Sequence, residues 1–545
     1  MRLDEYVRYD ALGLAELLRG GEVGREELLE TALEAIDAVN PQLNAVISDL
    51  RERGRAGARQ PQEGLFSGVP FLLKDNIDLE GTVSTWGTVL GQGRVSTWTH
   101  EVVRRIEASG LVILGRTNMS ELGLLPTTEP AAFGPTANPW DLRRSPGGSS
   151  GGAGAAVAGG MVPMAHGADG GGSIRIPASA CGLFGLKTSR GRHPASREDD
   201  PDGFISQGVL SKSVRDSAAF LDVTQGARSL DRWRTPSPLG SFLEAAGTDP
   251  QPLRIAFSVR GFDGREVHPH CREAVLSAAQ LCADLGHSVE EGGPQVDFQE
   301  WMEGFAVLWS MCTGYFLESV KESLRADGLS SLISGLLERN AAFDALLWAH
   351  TFPRARPMEP FTRTLVGINR RLTPGHLWMA WKKMNRAGEA LGGFLETVDL
   401  FMLPVLGEPP WPTGHLKPPR TVDEAGESLL RYAGFTPICN TAGLPAMSVP
   451  LHWAPSGLPI GVQFMAPYGR EDLLFALAGQ LERARGWSHL RPPTFAARRF
   501  NASDHGAHHA RGPLSSSSQR DSKGDLSGKE RRQIGPDHLS QRQRR

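Results

Sequence analysis

Gly147-Gly148-Ser149-Ser150-Gly151-Gly152 and, further on, Asp169-Gly170-Gly171-Gly172-Ser173-Ile174-Arg175-Ile176-Pro177 decide the reading of this chain. Two serines, Ser149 and Ser173, each stand in a run of small residues, 24 positions apart (149 to 173). Glycine suits such runs because, lacking Cβ, it accepts positive φ and lets backbone N–H groups approach a ligand closely. Consecutive N–H groups ending at a serine are what an oxyanion hole beside a nucleophile requires. Upstream, the apolar run Val69-Pro70-Phe71-Leu72-Leu73 ends in Lys74, 75 positions before Ser149 (74 to 149).

This three-part constellation resembles the amidase signature family, whose catalytic groups are a serine, a cis-serine and a lysine. The resemblance extends from about Ala11 through Trp487. It includes Val39-Asn40-Pro41-Gln42-Leu43-Asn44-Ala45, Gly115-Arg116-Thr117-Asn118-Met119-Ser120-Glu121 and Cys181-Gly182-Leu183-Phe184-Gly185-Leu186-Lys187. Late segments Asn440-Thr441-Ala442-Gly443-Leu444-Pro445-Ala446 and Gly457-Leu458-Pro459-Ile460-Gly461-Val462-Gln463 also fit.

The resemblance implies an α/β fold with a central mixed, mostly parallel twisted β-sheet covered by helices on both faces. It makes Ser173 the nucleophile and Ser149, after a cis peptide at Gly148, its proton acceptor. Lys74 is the final base. The oxyanion hole falls to the N–H groups of Gly170, Gly171, Gly172 and Ser173, with Ser150, Asp169 and Arg175 in support. Gly170 stands where many members carry a side chain. Thr128 and Cys312 are candidates for the substrate pocket. Lys74 can serve only as a neutral amine, so its pKa of about 10.4 must fall by about 3, on the order of 4 kcal/mol. Burial among Phe71, Leu72 and Leu73 is the available cause.

The stretches around Val162–Gly167 and Arg175–Ser179 look most like bacterial stand-alone amidases, including hydrolases of cyclic or linear ω-amino-acid amides. Two related alternatives stay open: the amidase-like subunit of a tRNA-dependent amidotransferase, and a fatty-acid-amide-type hydrolase. The former usually has Gln where this chain has Ile176, which favours a less polar substrate. Against the latter, no N-terminal membrane segment is visible. The expected partner is a small-molecule amide, with a homodimer as the candidate assembly; no cofactor, metal or nucleic acid is expected.

Along the chain, strands alternate with helices, the pattern of an α/β sheet. Two helices are expected first, the second carrying Leu28, Ala32, Ala35, Ile36 and Val39 on one face and stopping at Pro41. Strands are expected at Val69–Leu73, Leu111–Leu114, Leu253–Phe257 and Leu400–Val405, and helices at Glu101–Ser109 and Ala153–Gly160. A helical, aromatic-rich insert is expected over about 298–396. Its Trp301, Trp309, Phe316, Trp348, Phe352, Trp378 and Trp381 are read first as core, and alternatively as an apolar substrate funnel. Residues 1–497 read as one domain. The segment 498–545 reads as a polar, basic, disordered tail, too poor in large apolar residues to offset its ordering entropy.

Composition excludes several classes. The net charge is −3 over 545 residues, with 40% hydrophobic and 22% charged residues, so no strong pull toward nucleic acid or membrane is written in the charge. Five scattered cysteines (Cys181, Cys271, Cys282, Cys312, Cys439) never pair as CxxC, which fits a reducing cytoplasm. The charged start Met1-Arg2-Leu3-Asp4-Glu5 lacks a secretory signal, and no apolar run is long enough to span a bilayer. Gly147-x-Ser149-x-Gly151 formally matches a nucleophile elbow, but that motif needs a strand directly before it, and Asn138–Pro146 reads as turn. A phosphate loop needs Gly-Lys-Ser/Thr, which Gly151-Gly152-Ala153 lacks. Cys181 reads as a small buried apolar residue rather than a thiol nucleophile.

Overall fold

The computed structural model describes residues 1–497 apart from 61, 196–202, 230, 327–357 and 417–421, with backbone only for 315–326 and 422–425. The chain divides into two units, Met1–Arg498 and Arg499–Arg545. The expected disordered tail therefore lies outside the described residues.

Among the described residues eleven strands form one sheet. In chain order they are β1 (Val46–Asp49), β2 (Pro70–Lys74), β3 (Val112–Thr117), β4 (Met164–Asp169), β5 (Phe184–Lys187) and β6 (Ser206–Ser211). There follow β7 (Arg254–Phe257), β8 (Ser288–Glu291), β9 (Leu400–Pro404), β10 (Ala446–Trp453) and β11 (Pro459–Met465). Their spatial order is β1-β3-β2-β4-β6-β5-β10-β11-β9-β7-β8. The sheet is mixed, as expected, but not mostly parallel. Among the described residues six ladders are antiparallel and four parallel. The cause is the centre of the sheet, where β4, β6, β5, β10, β11 and β9 join antiparallel throughout. Strand direction depends on where a connection returns, which local periodicity does not record.

Helices cover both faces, and the pleat shows it. Along β9, Leu400 and Met402 join one core with the helices Val214–Thr224, Pro269–Asp284 and Glu471–Ala484. Phe401 and Leu403, pointing the other way, join a second core with the helices Phe298–Ala326, Pro374–Leu395 and Pro437–Ala442. A third core packs β2, β3 and β4 against the N-terminal helices.

Most elements fall within a few residues of their expected places. One boundary differs for a visible reason. The helix Arg25–Leu43 runs through Pro41 and ends at Asn44, whose left-handed φ of 49° caps it. Asn tolerates that conformation, and Pro41 sits so near the end that its missing N–H forfeits one bond only. A short extra helix, Leu3–Tyr6, precedes the two expected ones.

Two neighbouring parallel strands set up the site. β2 and β4 pair at Leu72 and Ala165, and their carboxyl ends carry Lys74 and Asp169. The open space beyond the carboxyl ends of parallel strands is where α/β sheets place ligands.

Candidate functional site

Lys74 closes β2 with its side chain 1% exposed. Its Nζ lies 2.7 Å from Ser149 Oγ and donates to the Ala168 carbonyl at 3.1 Å. Removal from water brings its pKa down from 10.5 to about 7, partly opposed by the charge of Asp169. The sequence demanded a neutral amine, and burial at a strand end supplies the condition for it. A neutral lysine has two donors and one lone pair: it can donate to Ala168 and accept from the Ser149 hydroxyl at once.

Ser149 follows a cis peptide at Gly148 and precedes the helix Gly151–Ala158. Thr128 Oγ1 holds that turn from behind, donating to the Gly147 carbonyl at 2.9 Å and accepting from Gly151 N at 3.1 Å. Ser150 ties the turn to β4 through the backbone of Ala168. Its N–H donates to the Ser173 carbonyl at 3.3 Å, joining the two serine segments. No strand leads directly into Ser149: Asn138–Asp141 is a turn closed by an isolated bridge, so the nucleophile-elbow geometry is absent there.

The loop after β4 is built around Asp169. Its carboxylate accepts from Gly172 N at 2.7 Å and Ile174 N at 3.2 Å, and from Arg175 Nε at 3.0 Å and Nη2 at 2.9 Å. Both partners are fully buried. Burial alone would raise the Asp169 pKa; the adjacent Arg175 charge and hydrogen bonds overcome this and hold it well below the usual carboxylate range. Arg175 Nη1 donates to Gln463 Oε1 at 2.7 Å and to the Thr436 carbonyl at 2.9 Å. Its Nη2 also donates to Asn440 Oδ1 at 2.7 Å. Asn440 Nδ2 returns to the Asp169 carbonyl at 2.7 Å. With every arm satisfied, this buried pair fixes the shape of the glycine loop.

The four expected oxyanion donors separate here. Gly172 N–H is committed to Asp169, whereas Gly170, Gly171 and Ser173 line the cavity. Gly172 is required by conformation: its φ is +125°, and a Cβ would overlap Thr436 Oγ1. At Gly170 a Cβ would meet only Ile205 Cγ1, at 3.5 Å, which is ordinary contact. The oxyanion assignment to Gly172 is therefore revised, because its hydrogen is already taken.

The cavity in front of these groups measures about 410 Å³, with Lys74, Ser149 and Ser173 on its wall. Its remaining wall is largely apolar, with Trp86, Leu122, Leu124, Ile176, Phe305 and Trp309 among the lining residues. Polar residues gather on the chain that continues β2, at Asn76 and Asp78, with Arg94 beside them. Cys312 lies on the wall of this cavity and Thr128 does not. Thr128 is fully buried, its hydroxyl engaged with the serine turn, so its pocket assignment is corrected.

Of the insert's aromatics, Trp301 is buried in the second core, as first read, and also borders the cavity, which Trp309 lines as well. Trp381 packs on Phe204 with ring centroids 5.2 Å apart, and Trp378 is 71% exposed, neither core nor wall. Phe316, Trp348 and Phe352 lie outside the residues whose side chains are described.

Cys181 is buried, its thiol donating to the Pro146 carbonyl at 3.4 Å, and burial pushes its pKa up, away from thiolate. Lys187, closing β5, is a useful contrast. Burial brings it too to about 7, yet among the described residues its Nζ donates to the carbonyls of Thr188 and Leu444 and to no hydroxyl. A depressed pKa is therefore insufficient to mark a base; the hydroxyl partner distinguishes Lys74.

Sequence reasoning assigned no role to Thr436, Asn440 or Gln463. A signal for Gln463 exists: it is the one amide in the otherwise apolar β11. Asn440 opens one of the segments that carry the resemblance, but nothing near it or Thr436 in the sequence names their partner Arg175, 265 and 261 residues away.

Comparison with known proteins agrees with this geometry. The Amidase family model matches residues 27–475. The 6-aminohexanoate-cyclic-dimer hydrolase of Paenarthrobacter ureafaciens is 34% identical over 519 residues, covering 89% of this chain and 96% of that protein. A solved 6-aminohexanoate cyclic dimer hydrolase superposes with a TM-score of 0.80 at 33% identity, covering 90% of this chain and 99% of the other. A bacterial aryl acylamidase of the amidase signature family gives a TM-score of 0.76 at 24% identity, covering 88% and 97%, a likeness of fold alone. No helix among the described residues is long and apolar enough to cross a membrane. The chain thus belongs to the Amidase family and is an enzyme that hydrolyses amide bonds.

Proposed function

We propose that this enzyme cleaves a carboxylic amide with a predominantly apolar acyl group through a Ser173 acyl-enzyme, with Ser149 and Lys74 as the proton relay. The observation that carries this reading is the buried Lys74 Nζ, 2.7 Å from Ser149 Oγ, on the wall of the cavity that Ser173 also lines. In the first half, Ser173 Oγ bonds to the carbonyl carbon; its proton passes to Ser149 as the Ser149 proton passes to Lys74. The oxyanion rests on the N–H groups of Gly170, Gly171 and Ser173. The C–N bond then breaks as Ser149 protonates the nitrogen and Lys74 returns its proton to Ser149. Water repeats the sequence, the C–O bond to Ser173 breaks, and Ser173 regains its hydrogen.

Ser150, Asp169 and Arg175 act by holding the loop. Ile176 and the apolar wall support a substrate of low polarity, and the similarity to 6-aminohexanoate-cyclic-dimer hydrolase supports cyclic or linear ω-amino-acid amides. Five scattered cysteines, none paired as CxxC, support a reducing, cytoplasmic setting.

The test is Ser173→Ala against a panel of such amides, with mass-spectrometric detection of products. Turnover should fall on the order of 10³- to 10⁶-fold while the fold survives. A fluorophosphonate should label Ser173. Near-normal turnover in the variant, or labelling at Ser149 instead, overturns the assignment.

A further inference from the structure

We infer that Phe305 is a specificity-determining residue that limits the width of the acyl group beside the scissile carbonyl; this rests on the Ser173 reading above. Phe298, Trp301, Phe305 and Trp309 form a continuous aromatic stack along the helix Phe298–Ala326. Successive ring centroids lie 5.2, 5.1 and 5.8 Å apart, and Trp309 meets Phe361 edge-on at 5.1 Å. Three of these rings, Trp301, Phe305 and Trp309, line the cavity. A spacing of four residues places them on one helical face.

Phe305 is the ring that reaches the glycine loop. A Cβ built at Gly171 would stand 3.7 Å from Phe305 Cζ and 3.8 Å from Pro437, so the ring tip borders the glycine loop on the side where a Gly171 side chain would be. On the neighbouring side, a Cβ at Gly170 would meet Ile205. Since both glycines lack side chains, Ile205, Phe305 and Pro437 are the groups that bound the space above the loop.

That ring is also anchored. Trp301 Nε1 donates to Thr441 Oγ1 at 2.9 Å on the helix Pro437–Ala442. Asn440 of the same helix holds the Asp169 carbonyl. The aromatic stack and the glycine loop are therefore keyed to one short helix, and stacking on Trp301 sets where Phe305 stands.

The two ends of the substrate can be told apart. The departing nitrogen must reach Ser149, on the Lys74 side, where the polar Asn76 and Asp78 continue β2. The acyl carbon, bonded to Ser173, stays at the glycine loop, beside Phe305. A ring bordering the loop leaves room for an unbranched methylene chain but crowds an α-branched or aryl carbon.

The experiment measures kcat/KM of Phe305→Ala, Phe305→Leu and Phe305→Trp on amides that share one amine. The acyl groups are straight-chain hexanoyl, α-branched 2-methylhexanoyl and benzoyl. In Phe305→Ala the ratio of branched or benzoyl to hexanoyl should rise about 10- to 100-fold, the range that shape mismatch commands in an apolar pocket. Phe305→Trp should lower the same ratio. Phe305→Leu, which keeps an apolar side chain for packing, should fall between wild type and alanine, and decides the matter if the alanine variant fails to fold. A uniform fall for all three acyl groups overturns the inference and makes Phe305 purely structural. Fluorophosphonate labelling at Ser173 in each variant separates the outcomes: loss of a width effect with Ser173 still labelled refutes the Phe305 role alone, whereas labelling elsewhere refutes the acyl-enzyme reading.

Discussion

Lys74 offers the sharpest test, because its proposed chemistry and its energetic cost share one origin. Burial brings its pKa from 10.5 to about 7. At 1.36 kcal/mol per pKa unit, holding the ammonium form inside costs on the order of 5 kcal/mol relative to the neutral amine. The sign follows from proton counts. Below pH 7 folded and unfolded chains both bind the proton, and the penalty is fully present. Between pH 7 and 10.5 the unfolded chain binds more protons than the native one, so this contribution to stability rises with pH. Above 10.5 the penalty is gone. Lys74→Met removes the titration, so its stability relative to wild type should be greatest below pH 7 and decline by about 5 kcal/mol toward pH 10.5. Denaturant unfolding from pH 6 to 10 measures this. The acylation rate of wild type should rise through about pH 7 and then level off as the amine becomes neutral. Lys74→Arg, which cannot lose its proton in this range, should lose roughly 10²- to 10⁴-fold in kcat/KM, much like Lys74→Ala. A flat stability difference across pH, or an arginine variant with an unchanged pH–rate profile, refutes the argument.

Three further outcomes are expected. Gly172→Ala should lose several kcal/mol by thermal melting, because its positive φ and the overlap with Thr436 coincide; Gly170→Ala, with only van der Waals contact to Ile205, should melt within about 1 kcal/mol of wild type. Asp169→Asn strands the buried Arg175 charge and should cost about 3–5 kcal/mol at neutral pH. The depressed Asp169 pKa means its contribution is present above the unfolded value near 4 and lost as pH falls below it, so the variant's acid-unfolding curve should be flatter below pH 4. Cys181, buried with its pKa pushed up, should resist iodoacetamide in the native enzyme and react only on unfolding; rapid native alkylation detected by peptide mass spectrometry contradicts its inert placement.

Glycine runs, the lysine that ends an apolar strand and the spacing of two serines were legible in the chain because each is local: backbone freedom, periodicity and order along the sequence suffice to read them. Such features brought Lys74, Ser149 and Ser173 into view, together with most strand and helix positions, while the family resemblance added the roles of these residues and of Asp169 and Arg175. Other properties came into being only on folding. Sheet direction at β4, β6, β5 and β10 follows from where distant connections return. Thr128 holds a turn instead of lining the cavity, because its hydroxyl meets Gly147 and Gly151 about 20 residues on. Asn440 and Gln463 reach Arg175 across 265 and 288 residues; the lone amide of β11 marks Gln463 as unusual, but only the fold shows which group it meets. Gly172 turned out to be engaged by Asp169, which no glycine count reveals. Above all, a lysine is basic wherever it is written in a sequence. Only the packed interior that excludes water around Lys74, and sets Ser149 Oγ against it, brings that residue's pKa down to about 7, where the neutral amine becomes accessible.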